Sequence, residues 1–258
     1  MEGTDVSQRV RDALARVELE RNVRVLYACE SGSRAWGFAS QDSDYDVRFL
    51  YVHARDWYLS VEDHRDVIEQ PLSEELDVSG WELRKALRLL RKSNPPLLEW
   101  LKSPVVYRED AVFAEDFRAL SAAFYSPQRC FAHYRHMAWG NWRKYLQGRD
   151  QVSLKKYFYV FRPVLACRWI ERELGQVPML FAELVAGVLE EAGVRAALDE
   201  LVERKRAAQE LSVAPPVEVL SRFLEAELLR LDALQEPADA AAPEEELNAF
   251  FRRYALSA

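Results

Sequence analysis

The chain has few cysteines, and those it has are scattered. Its 258 residues include only three, Cys29, Cys130 and Cys167. Their odd number and wide spacing indicate neither a disulfide framework nor a Cys-x-x-Cys metal site. We therefore expect all three to be small core residues.

Long apolar runs are absent as well. No run approaches the roughly 20 residues that a transmembrane helix needs. The N-terminal sequence MEGTDVSQRVRD is charged where a signal peptide would be apolar. Both observations predict a cytoplasmic protein with no membrane partner, and a composition with 49% hydrophobic residues predicts a folded protein with an ample core.

Positive charge is in deficit overall, but it is unevenly distributed. The net charge of −7 argues against a generally basic nucleic-acid-binding protein. Residues 129–172, which we call the basic belt, nevertheless contain ten Lys and Arg residues and only two acidic ones. Residues 173–258 contain eight basic and seventeen acidic residues. Because a basic cluster neutralises phosphates, the belt predicts contact with RNA.

The most informative stretch is CESGSRAWGFASQDSDYD, from Cys29 to Asp46. Apolar residues at 23–28 and the alternation VRFLYV after Asp46 predict two strands around it. Gly32 and Ser33 predict a tight turn, followed by a short helix over residues 34–39. Glycine lets a ligand approach the backbone, and the Ser33 hydroxyl and free N–H groups of the helix suit a phosphate.

Two aspartates follow the turn on the second predicted strand. Asp44 and Asp46 are two residues apart, so their side chains share a face. Two like charges this close are costly unless cations lie between them. Turn and strand together predict a nucleoside-triphosphate site with a divalent metal; a surface turn with solvated aspartates is the alternative.

The spacing of these parts resembles a known superfamily. Ten residues separate the Gly32-Ser33 pair from Asp-Tyr-Asp, as in the nucleotidyltransferases of the DNA polymerase β superfamily. The resemblance implies an α+β fold, with a mixed sheet and helices in an N-terminal domain at 1–112 and an all-α domain at 113–258. It also implies a third acid on a neighbouring strand, for which Asp77 is the first choice and Glu75, Ser79 and Glu82 are rivals.

Longer segments narrow the resemblance to one branch. The sequences DVSGWELRKALRLLRKSNPPLLEWLKSPVVY, HYRHMAWGNWRKYL and LKKYFYVFRPVLACRWI resemble the RNA repair pathway DNA polymerase β family, predicted nucleotidyltransferases associated with RNA ligases. The likeness covers about residues 22–185. It implies an RNA end as acceptor and an RNA ligase or other repair protein as partner; a protein side chain and a small molecule such as an aminoglycoside remain alternatives.

The resemblance also assigns roles to residues. Asp44, Asp46 and Asp77 would be catalytic and would hold two Mg²⁺ ions, with Mn²⁺ as a possible substitute. The reaction would transfer a nucleoside monophosphate from a triphosphate to a hydroxyl, with ATP as the default donor. The nucleotide would contact Gly32, Ser33 and Arg34 and, from the helical domain, Lys156 and Tyr157. The competing hypothesis is a catalytically silent module that keeps the fold for binding or regulation, as an antitoxin-like partner would.

Apolar residues three and four apart predict the helices of both domains. The pattern covers residues 4–20, 79–92, 113–124, 128–146 and 154–174. A low-complexity linker at 236–243 then precedes a last predicted helix at 244–255.

Overall fold

The computed structural model describes residues 2–41, 43–73, 75–207, 213–234 and 244–256. The chain forms two compact units. The sheet unit comprises Met1–Ala35, Asp44–Tyr125 and Ala240–Ala258, and the helical unit comprises Trp36–Ser43 and Ser126–Asp239. The predicted linker at 236–243 lies outside the described residues.

The sheet unit is built on a five-stranded mixed sheet. Its strands are β1 (Val23–Glu30), β2 (Tyr45–His53), β3 (Val67–Ser73), β4 (Leu76–Glu82) and β5 (Val106–Glu109). The order is β3-β4-β2-β1-β5, and β2 and β4 run parallel while the other neighbours are antiparallel. In this register Asp46 of β2 lies opposite Asp77 of β4.

Short and long helices complete this unit. They are α1 (Glu2–Arg21), α2 (Gly32–Ala35), α3 (Arg55–Tyr58), α4 (Leu83–Arg91), α5 (Pro95–Trp100), α6 (Ala111–Ala123) and α12 (Glu244–Ala255). Helix α4 begins later than the predicted residue 79, because residues 79–82 pair with β2 as the end of β4. The Glu82 side chain then accepts a hydrogen bond from the Lys85 N–H and caps the helix.

The core of the sheet unit explains which face is left for the site. Val10, Leu14 and Val17 of α1 pack on one face of the sheet, against alternate residues of its strands that include Val47 and Val78. Because side chains alternate along a strand, Asp46 and Asp77 project to the opposite face.

The unit boundary differs from the predicted division at residues 112 and 113. Helix α6 packs on the sheet through buried Phe113 and Phe117. The last helix joins them, since the Phe250 ring lies 5.9 and 5.5 Å from those of Phe113 and Phe117. The Tyr254 hydroxyl also donates to Asp116 Oδ2 at 2.5 Å. Apolar burial therefore assigns both helices to the sheet unit.

The helical unit consists mainly of helices. They are α7 (Pro127–Tyr145), α8 (Lys156–Glu171), α9 (Phe181–Val188), α10 (Ala192–Arg206) and α11 (Glu218–Asp232). A two-stranded ladder of β6 (Val152–Ser153) and β7 (Val213–Ala214) departs from the all-α expectation. Among the described residues, no helix is both long and apolar enough to cross a membrane.

The segment after the glycine turn belongs to the helical unit. Helix α2 ends at Ala35, so the predicted helix at 34–39 is wrong. Trp36 and Phe38 instead pack with the helical unit, where Phe38 stacks on Phe158 at 4.7 Å and the Trp36 carbonyl accepts the Phe181 N–H. Burial of these aromatic rings outweighs local helix propensity. All three cysteines are buried thiols, as expected.

Candidate active site

The glycine turn closes directly onto β2. The Ser31 N–H donates to the Asp46 carbonyl oxygen at 2.8 Å. Gly32 has a φ of +58°, and a Cβ atom placed there would lie 2.0 Å from Asp46 Oδ2. Any side chain would therefore collide with the carboxylate, and glycine alone permits this approach. Ser33 follows as the second residue of α2.

The two aspartates of the motif differ in position. Asp44 is exposed and lies one residue before β2, whereas Asp46 is half-buried within it. Arg34 joins turn and strand, because its Nε donates to the Asp44 carbonyl at 3.2 Å and its guanidinium lies 3.7 Å from the centre of the Tyr45 ring. The structure thus brings together Gly32, Arg34, Asp44 and Asp46.

Asp77 completes the acidic group. Its backbone is the register partner of Asp46 on β4, and its side chain is 54% exposed. The rival acids lie in other surroundings. Glu82 is buried and accepts a hydrogen bond from the Tyr58 hydroxyl at 2.6 Å, while the Glu75 carboxylate faces Arg9 at 3.9 Å. Geometry therefore favours Asp77 as the third acid.

Sequence reasoning missed Arg48, which lies between two of the acids. Its Nη2 donates to Asp46 Oδ1 at 3.1 Å and to Asp77 Oδ2 at 2.8 Å. Its Nη1 donates to the carbonyls of Val47 at 3.0 Å and Asp77 at 3.3 Å. Arg48 follows Asp46 by two residues, so the alternation that pairs Asp44 with Asp46 also assigns it to their face.

Glu30 was also missed, although it ends β1 directly before the turn. This buried carboxylate accepts the Asp46 N–H at 2.7 Å and a hydrogen bond from the Tyr107 hydroxyl. It therefore holds the backbone of Asp46 in place. An acid at the end of a strand that is apolar apart from Arg24 was the available signal.

Burial and crowding of charge shift the proton affinities here. Burial raises the pKa of Asp46; Arg48 opposes the shift, while the charges of Asp77 and Asp44 reinforce it. Burial likewise raises the pKa of Glu30, against the hydrogen bond from Tyr107. A nearby cation stabilises the charged form of such a carboxylate. Carboxylates with a raised pKa are common in functional sites.

The carboxylates are of the ligand type that divalent metals prefer, but their arrangement does not form a metal site. Oxygen ligands suit Mg²⁺ and Mn²⁺. Within the part of the chain that the structure describes, no three His, Cys, Asp or Glu side chains are arranged to hold a metal ion. Instead, the Arg48 guanidinium pairs with the carboxylates of both Asp46 and Asp77.

Two predicted nucleotide contacts lie in the helical unit. Lys156 is the first residue of α8, and its ammonium lies 4.4 Å from the Tyr145 ring centre and 4.5 Å from that of Tyr159. Its contact with a nucleotide stays a prediction. Tyr157 is fully buried, and its hydroxyl lies 2.6 Å from Ser221 Oγ. Against the prediction, Tyr157 is a core residue. A ring with no exposed face cannot stack on a base.

Comparison with known proteins decides the family. A family model described as the RNA repair pathway DNA polymerase beta family matches residues 6–253. This chain belongs to that family. The chain is also 50% identical over 226 residues to the "Uncharacterized protein YcgL" of Bacillus subtilis (strain 168). The aligned region covers 88% of this chain and 86% of that protein.

The similarity of this chain to a solved structure is much weaker. A nucleotidyltransferase-like protein from Exiguobacterium sibiricum 255-15 is 15% identical and aligns with 88% of this chain and 73% of its own, with a TM-score of 0.32. The family match, which spans nearly the whole chain, confirms the resemblance to the RNA repair pathway DNA polymerase β family.

Proposed function

We propose that this protein is a divalent-metal-dependent nucleotidyltransferase that transfers a nucleoside monophosphate to an RNA end. The observation that carries the proposal is the convergence of Gly32, Asp44, Asp46 and Asp77 on one end of the sheet. The family match supports a role in RNA repair. ATP is the default donor, and an RNA ligase or another repair protein is the proposed partner.

Each group has a defined part in the proposed reaction. Gly32 and Ser33, with Arg34, hold the β- and γ-phosphates, so that the α-phosphorus faces the acceptor hydroxyl in line. The hydroxyl oxygen bonds to the α-phosphorus as the bond to the bridging oxygen breaks, and pyrophosphate leaves. Asp77 receives the hydroxyl proton or shares in metal binding.

Asp44, Asp46 and Asp77 would hold the two proposed Mg²⁺ ions, for which Mn²⁺ can substitute. Bound there, Mg²⁺ would supply neutralisation of the triphosphate and a lower pKa for the attacking hydroxyl. Because Arg48 lies between Asp46 and Asp77, full occupancy requires its guanidinium to leave this pair.

Asp44→Asn tests the proposal. Asp44 is exposed, so the variant should keep its melting temperature while losing Mg²⁺-dependent incorporation of labelled nucleotide by about a thousandfold or more. Asp56→Asn is the matched control, since the Asp56 side chain is 93% exposed outside the acidic group. Unaltered incorporation in Asp44→Asn would contradict the assignment.

Supplying each of the four ribonucleotides and dATP at equal concentration also reports base and sugar preference.

One observation favours a catalytically silent binding module as the second candidate. Arg48 already neutralises Asp46 and Asp77, as a structural cation would. A silent module would incorporate no label from any nucleotide with Mg²⁺ or Mn²⁺ and total RNA. Incorporation above that of Asp44→Asn would exclude it.

A further inference from the structure

The basic belt at 129–172 contains arginines that bond within the helical unit and a second group of charges at the end of α7 and the start of α8. Four of its arginines bond within the helical unit. Arg162 donates to the carbonyls of Pro178 and Met179, Arg168 pairs with Glu227 and Glu191, Arg172 pairs with Glu190, and Arg135 donates to the Leu231 and Leu234 carbonyls. These arginines hold the fold together, so they are not positioned to neutralise RNA phosphates.

Apart from Arg129, the remaining basic residues are concentrated where α7 ends and α8 begins. Five basic residues lie within residues 143–156: Arg143, Lys144, Arg149, Lys155 and Lys156. Arg143, Lys144, Arg149 and Lys155 are exposed, and Lys156 is half-buried. Neither Lys144 nor Lys156 forms an ion pair with a carboxylate among the described residues. Their charge is therefore available to an anionic ligand.

Two tyrosines lie among these charges. The Tyr145 and Tyr159 ring centres are 6.5 Å apart, and Tyr159 is 40% exposed. Lys144 lies 5.0 Å from the Tyr145 ring centre, and Lys156 lies close to both rings, at 4.4 and 4.5 Å. We call Lys144, Tyr145, Lys156 and Tyr159 the tyrosine–lysine surface.

We infer that the tyrosine–lysine surface binds unpaired RNA, with bases stacked on the tyrosines and phosphates held by the lysines. An exposed contact between an ammonium and a ring contributes about two- to fivefold to an equilibrium constant. Stacking of one base on an aromatic side chain contributes about fivefold to more than a hundredfold. A base can therefore displace a lysine from the ring, and the released ammonium then pairs with a phosphate.

The chemistry selects single strands over duplexes. In a duplex the base faces are covered by their neighbours, so tyrosine rings have nothing to stack on. Stacking is tolerant of sequence because every base has a π face. The inference rests on the proposed RNA acceptor and adds the place and manner of its binding.

The test measures the binding of a labelled, unstructured 12-nucleotide RNA to the full chain by fluorescence anisotropy. EDTA is present and nucleotide is left out. Tyr145→Ala and Tyr159→Ala should each weaken binding about fivefold to a hundredfold with an unchanged salt dependence. Tyr145→Trp keeps an aromatic face and should retain binding. Lys144→Gln and Lys156→Gln should each reduce the slope of log K against log salt by about 0.7.

Controls separate this inference from the proposed activity. Lys92→Gln changes an exposed lysine at the end of α4 and should leave both affinity and slope unchanged. Circular dichroism and melting temperature establish that each variant is folded. Equal affinity for a duplex of the same sequence, or unchanged affinity in both alanine variants, would overturn the inference even if nucleotide transfer is found. Loss of binding in those variants upholds it even if transfer is absent.

Discussion

The two units treat their partly buried carboxylates in opposite ways. In the helical unit Glu227 on α11 receives hydrogen bonds from both Arg168 and Arg230, at 2.7 and 2.6 Å to Oε1. In the sheet unit Asp46 and Asp77 share the single guanidinium of Arg48. Burial opposes ionisation of Glu227, but the two arginines outweigh it and lower its pKa to about 2, whereas the pKa of Asp46 is raised.

This difference separates a carboxylate whose burial is compensated by two arginines from one whose burial is not fully compensated. Around Glu227 the network is closed, because Arg168 also binds Glu191 and Arg230 also binds Glu171. Around Asp46 the charges of Asp77 and Asp44 add to the effect of burial, and Asp77 remains 54% exposed. Like charges held close together cost stability unless a cation neutralises them.

The largest expected effect on stability comes from breaking the closed network. Glu227→Gln leaves two arginines with less compensation and should lower the free energy of unfolding by about 3 kcal/mol in urea titrations. Glu225→Gln, on the exposed face of the same helix, should change it by less than about 0.5 kcal/mol. Asp77→Asn should also cost little, because it relieves repulsion. A larger loss in Asp77→Asn than in Glu227→Gln would break the comparison.

Acidification should remove the same stabilisation. Because the pKa of Glu227 is lowered in the folded protein to about 2 from 4.5, its contribution is complete above about pH 4.5 and is lost as the pH falls toward 2. The groups facing it are Arg168 and Arg230, whose other partners are Glu191 and Glu171. The difference in unfolding free energy between wild type and Glu227→Gln should therefore shrink over this range. A difference that stays constant would contradict the assigned cause.

The glycine turn provides a smaller effect that is specific to the sheet unit. Gly32→Ala adds a Cβ at a φ of +58° and only 2.0 Å from Asp46 Oδ2. Gly148→Ala, in the helical unit, has a similar φ of +64° but meets no atom within 4 Å. Both should lose about 1 kcal/mol or more to backbone strain, and Gly32→Ala should lose more. Equal losses by thermal unfolding would show that contact with Asp46 is unimportant.

The smallest effect concerns Arg48 as a competitor for metal. Arg48→Met removes the cation between Asp46 and Asp77 and should raise the affinity for Mn²⁺, measured by electron paramagnetic resonance, by about tenfold. Arg65→Met, which removes a partner of Glu69 instead, should leave the affinity unchanged. If Arg48→Met binds Mn²⁺ no better than wild type, the guanidinium does not compete with the ion.

Local patterns along the chain are sufficient to predict the family, the α+β class and the turn-and-strand motif. These follow from local signals: Gly32 where the backbone must accept a positive φ, alternation along β2, and apolar residues three and four apart in the helices. Such signals act within a few residues, so they can be read along the chain. The same alternation contained Arg48, which was overlooked.

How distant residues share their charges and their burial depends on the way the chain folds. The parallel pairing of β2 with β4 brings Asp77, rather than Glu75 or Glu82, to Arg48 and Asp46. Packing also buries Tyr157 and engages Arg162 and Arg168 internally, whereas Lys155, at the start of the same helix, stays exposed. The physical reason is that charge balance and desolvation depend on neighbours brought together by folding, which the spacing of residues along the chain does not encode.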